Sequence, residues 1–172
     1  FQANFYIIST NSFNEISTSL VIFQILSSKF GDSMFFPVQE SIFRYINNDV
    51  PRVREASILC LVGYVSSFPD HRCSNENQFT AISEIFEIAN DHINEFLMPS
   101  FSDVDQNDGI SISDATFLLL YNLSLIPGFE SLSELMNIMF YNLPFLISVH
   151  STDNFWRILK MIKRSHFSII HS

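Results

Sequence analysis

An all-helical chain built from stacked antiparallel helix pairs, an α-solenoid, is the fold class this sequence predicts, and three observations predict it. Apolar residues recur at the three-to-four-residue spacing of a helix face along nearly the whole chain. No segment alternates with period two between hairpin turns, so strands are not expected. Proline and glycine break the helical pattern into successive segments, as Asn47-Asn48-Asp49-Val50-Pro51 shows best, where one helix ends and proline opens the next.

Taken in order, the first helix is expected from Ser12 to Phe30, with Ile16, Leu20, Phe23 and Ser27 on one line and Gly31-Asp32 as its stop. The second runs from Phe35 to Asn47, with Pro37 tolerable in its first turn. The third runs from Pro51 to Phe68, burying Val53, Ala56, Cys60, Leu61, Tyr64 and Val65, and Pro69 ends it. A polar loop spans Asp70 to Asn77. The fourth helix, Phe79 to Met98, is the clearest amphipath: Phe79, Ile82, Phe86, Ala89, Ile93, Phe96 and Leu97 oppose Glu84, Glu87, Asp91 and Glu95. Beyond an acidic loop, helices are expected from Ser113 to Ile126, from Phe129 to Val149 (kinked at Pro144) and from Asp153 to Ile170.

Composition narrows the function. Of 172 residues, 47% are hydrophobic and only 16% charged, against roughly 25% charged in an average chain. So few charges cover a free-standing surface poorly, and the chain opens at Phe1 rather than methionine, so we expect one helical-repeat domain over residues 1–172 that is a piece of a longer solenoid. Eighteen acidic against nine basic residues leave a net charge of −9, which disfavours nucleic acid and suits a basic protein partner. Two cysteines outside any paired motif, Cys60 and Cys73, predict free thiols and a cytoplasmic or nucleocytoplasmic setting. The longest uncharged run, 135–152, contains Asn137, Asn142, Pro144 and His150, so no membrane span is expected.

The third, fifth and seventh helices begin near residues 51, 113 and 153; the last interval matches the period of roughly 40–47 residues of two-helix repeat arrays, and the first, about sixty, is lengthened by the two polar loops. Phe36-Pro37, Ile42, Ile46-Asn47-Asn48-Asp49, Val53-Arg54, Ser57 and Leu61 together resemble a HEAT repeat of the HEAT/armadillo class. Pro37, Asp49, Val53 and Arg54 match the repeat's signature positions, and Ser57 stands where alanine is usual. The resemblance implies that Val53 and Leu61 pack between helices and that Asp49 and Arg54 form a polar ladder between neighbouring repeats. It also implies a concave binding surface along the second helix of each pair, and, among acidic members, a likeness to importin-β-like transport receptors that bind cargo.

No cofactor or metal site is expected. The five histidines lack metal spacing, and nucleophile-elbow, phosphate-loop and dinucleotide motifs are absent from a chain with four glycines. Asp103 to Asp114 resembles a calcium loop, with Asp103, Asp105, Asn107, Ser111 and Asp114 as oxygen donors. Gly109 stands one position late and Asp114 reaches less far than glutamate, so a solvated loop with Ser111 or Ser113 capping the next helix is the favoured reading. Trp156 and the basic residues Arg157, Lys160, Lys163 and Arg164 mark the final helix. The expectation is therefore a non-enzymatic protein–protein interaction scaffold, with Arg52, Glu55, Glu84, Glu87, Asp91 and Trp156 as partner-binding residues. The alternative is a compact helical bundle carrying one calcium loop at 103–114.

Overall fold

In the computed structural model the described residues are 13–91, 108–128, 156, 159 and 160. Among them the chain is helical, with no strand. Helix α1 spans Phe13–Phe30, α2 Asp32–Phe35, α3 Gln39–Ile46, α4 Pro51–Val65, α5 Glu76–Asp91 and α6 Asp108–Leu123, with short 3-10 turns at Phe36–Val38 and Pro69–His71. No helix among the described residues is long and apolar enough to cross a membrane. The uncharged run 135–152 and most of the two C-terminal helices expected from the sequence lie outside the described residues.

The line Ile16, Leu20, Phe23 and Ser27 is buried along α1. The helix stops at Gly31, whose φ of 51° and ψ of −127° suit a residue without Cβ. The single helix expected from Phe35 to Asn47 is corrected here. Helix α2 begins at Asp32, a 3-10 turn intervenes at Phe36–Val38, and α3 begins only at Gln39. Pro37 has no N–H to give the i−4 carbonyl, so the chain tightens there instead of continuing as one rod.

Helix α4 occupies the centre. It packs most extensively on α1, next on α6 and then on α3, while α5 packs on α6. Val53, Ala56, Cys60, Leu61, Tyr64 and Val65 are all buried, as expected, and Ser57, Ile58, Val62 and Gly63 join them. Two small residues let the α1 and α4 backbones meet. A Cβ on Gly63 would run into the Gln24 carbonyl, and the Cys60 thiol donates to the Leu20 carbonyl one turn away. The buried Ser57 hydroxyl donates to the Val53 carbonyl at 2.8 Å, so its burial leaves no orphaned group. At the far end, Phe35 stacks on Tyr64 with ring centroids 3.8 Å apart, and Phe68 meets the same ring edge-on at 5.0 Å.

Other boundaries differ from expectation, among them the end of α6, which stops at Leu123 rather than Ile126. Helix α4 ends at Val65, and Pro69 opens a 3-10 turn in which Asp70 and His71 take positive φ. Helix α5 starts at Glu76, with the Asn75 side chain accepting from the Gln78 N–H at 2.9 Å as an N-terminal cap. Its buried stripe is Ala81, Ile82, Ile85 and Ala89, and Phe79, expected inside, is 51% exposed. Helix α6 starts at Asp108, so Ser111 and Ser113 lie within the helix and do not cap it.

Candidate functional site

The residues expected to bind a partner fall on separate elements. Arg52 is exposed in the first turn of α4, and Glu55 lies one turn on, half-buried. Leu59 and Ser66 continue the narrow stripe by which this otherwise buried helix reaches solvent. Glu84 and Glu87 are exposed on α5. Helix α5 packs chiefly on α6, so the two groups lie on helices that are not extensively packed on each other. Asp91 ends α5. Trp156 is helical and 56% exposed. Pro37 sits in the 3-10 turn, and Val53 is fully buried.

The contacts described for Arg54 lie within its own helix pair. Its Nη1 donates to the Asn48 carbonyl at 2.7 Å and the Asp49 carbonyl at 3.2 Å, both inside its own turn. The Asn48 side chain accepts from the Val50 N–H at 3.0 Å, closing the same turn from the other side. Val50 is a poor capping residue, with an extended backbone (ψ 115°) that the proline after it favours. The guanidinium thus locks the α3–α4 corner, a local role that the Val-Arg spacing does not distinguish from a ladder between repeats.

Sequence reasoning missed a polar node joining three elements. The Tyr64 hydroxyl, from α4, donates to Asp32 Oδ1 at 2.9 Å. Gln78 Nε2, from α5, donates to both carboxylate oxygens of Asp32 at 3.1 and 3.0 Å, and Gln78 Oε1 accepts from the Ser74 N–H at 2.7 Å. Burial, reinforced by the Asp32 carboxylate, pushes the Tyr64 hydroxyl far above its ordinary range. Burial and then the same carboxylate push the Cys73 thiol up, and burial pushes Cys60 up. Both thiols are free and stay protonated near neutral pH, which makes them weak nucleophiles. Partners 32 and 46 residues apart leave no mark in local spacing.

A second bridge crosses a cleft. Gln39 Nε2, at the start of α3, donates to Glu84 Oε2 on α5 at 2.7 Å. Beneath it lies a cleft of about 280 Å3 lined by Phe36, Gln39, Asn77, Thr80, Ala81 and Glu84. Among the described residues, no three His, Cys, Asp or Glu side chains gather as metal ligands would. Of the calcium-like loop, residues 103–107 lie outside the described residues, and 108–114 belong to α6. No family model matches this sequence, and no curated protein or solved structure matches it either.

Proposed function

We propose that the chain is a segment of an α-solenoid of HEAT/armadillo type that works as a non-enzymatic protein-interaction scaffold in a reducing compartment. The observation that carries the reading is the place of α4. It takes its apolar walls from α1 on one side, α6 on another and α3 across the turn, and α5 backs α6 in the same way. A row of second helices backed by a row of first helices has this neighbour pattern. The outer side of α1 still exposes Val21, Ile22 and Ile25, as the open edge of such a row does. The full burial of Val53 at its signature position supports the same reading. The net charge of −9 makes a basic protein the partner class, and transport-receptor-like cargo binding is one form that role takes.

Hydrogen exchange tests the architecture. In a stacked row each unit depends on its neighbours alone, so Leu120→Ala in α6 should unprotect α6 and α5 while amides of α1 and α2 keep their protection. Uniform loss across all helices would mean one cooperative bundle and would remove the proposal. A photo-cross-linking residue placed at Arg52 and, separately, at Glu87 tests the binding role. The same basic protein should be captured from both positions, and capture from neither would refute the scaffold function.

A further inference from the structure

The cleft between the Phe36–Gln39 segment and α5 has a chemistry of its own. Its volume of about 280 Å3 falls just below the roughly 300–1,000 Å3 range typical of small-molecule and cofactor sites, so it suits an occupant the size of one side chain. One wall carries the aromatic ring of Phe36, and the other carries the Glu84 carboxylate, of which Gln39 occupies one oxygen. Asn77 and Thr80 add an amide and a hydroxyl, both able to accept. No Lys or Arg lines the cleft. Glu40, Glu76 and Glu87, each next to or one turn from a lining residue, are exposed carboxylates.

We infer that this cleft receives an arginine side chain from a basic segment of a protein partner, the guanidinium pairing with Glu84 and lying against Phe36. Arginine fits better than lysine because its planar fork pairs with a carboxylate through two N–H groups while its face stacks on an aromatic ring. Gln39, Asn77 and Thr80 accept from the remaining N–H groups. The inference rests on the scaffold reading for the identity of the partner, while the chemistry is local to the cleft.

The test uses the whole 172-residue chain, isotopically labelled, and short Gly/Ser peptides carrying one arginine, one lysine or one citrulline. The arginine peptide should shift the amide signals of Gln39, Asn77, Thr80 and Glu84 saturably, and the uncharged citrulline peptide should not. Lysine should bind about threefold more weakly, and Glu84→Gln should weaken arginine binding about fivefold, in keeping with a solvent-accessible ion pair. Thr80→Arg, which supplies a guanidinium in cis, should abolish it, with circular dichroism confirming that both variants fold. Shifts spread evenly over distant carboxylates such as Glu15 and Asp49 would overturn the inference. So would equal binding of citrulline, equal binding of lysine, or indifference to Glu84→Gln. If cross-linking at Arg52 and Glu87 still captures a partner while the peptide arms fail, the scaffold stands and the arginine cleft falls.

Discussion

Gly63 shows how much a single residue decides here. With no Cβ it lets α4 press against the backbone of α1 at Gln24, a contact that any side chain would block. Gly63→Ala should destabilise the chain by about 1–3 kcal/mol through overpacking, read as a lower urea midpoint at unchanged slope. Cys60 and Tyr64, on the same helix, set an alkaline limit. Both have pKa values raised in the folded chain above their ordinary values of 9.0 and 10.0. Folding therefore retains protons that the unfolded chain releases, so their contribution is complete below about pH 9 and is lost as pH climbs beyond it. The urea midpoint should fall from about pH 9 to 11, Cys60→Ala should weaken the onset, to which the raised Cys73 thiol also contributes, and Tyr64→Phe should weaken the part above about pH 10. A midpoint that stays flat over that range would contradict this account.

At the scale of elements, the α3–α4 corner is the part most legible in the sequence. Proline at the first helical position, the Asn-Asp turn and the buried line from Val53 onward all stand where the pattern puts them. The partner of Arg54 is not legible, because a guanidinium reaches carbonyls in its own turn as readily as a carboxylate elsewhere. Arg54→Ala should cost about 1.5–3 kcal/mol, as expected for hydrogen bonds from a charged donor, and Arg54→Lys should recover only part of it. Thermal melts of the two variants check the order. The α2–α3 break and the register of α5 depart from the sequence expectation for a common reason. Periodicity counts apolar residues without knowing which neighbour will cover them, so Phe79 joins a stripe whose buried centre is Ile82, Ile85 and Ala89.

At the scale of the molecule, the exposed apolar side of α1 stands out among the described residues. Val21, Ile22 and Ile25 are 44%, 42% and 53% exposed, side by side on one helix. Substituting Ile22 and Ile25 with lysine should change stability by no more than about 0.5 kcal/mol per site, as at other surface positions. The same change should suppress concentration-dependent association of the chain in sedimentation velocity runs. A large loss of stability would mean that these side chains are covered within the folded chain. The candidate site itself is half visible in the sequence. Glu84 and Glu87 read as an exposed acidic face from spacing alone, whereas Gln39 and Phe36, which turn that face into a cleft, lie across the fold at separations a helical period cannot encode.

By itself the amino-acid order determined the helical character of the described chain, most of its breaks, the buried line of α1 and α4, and the acidic face of α5. Those properties come from periodicity, proline and glycine, which act within a few residues of where they stand. Only the tertiary arrangement decided that Asp32, Tyr64 and Gln78 share one node, that Gly63 seats α4 against α1, and that Gln39 and Glu84 face each other across a cleft. Each of those joins side chains from different helices, and their meeting depends on how the helices pack against one another rather than on any local preference.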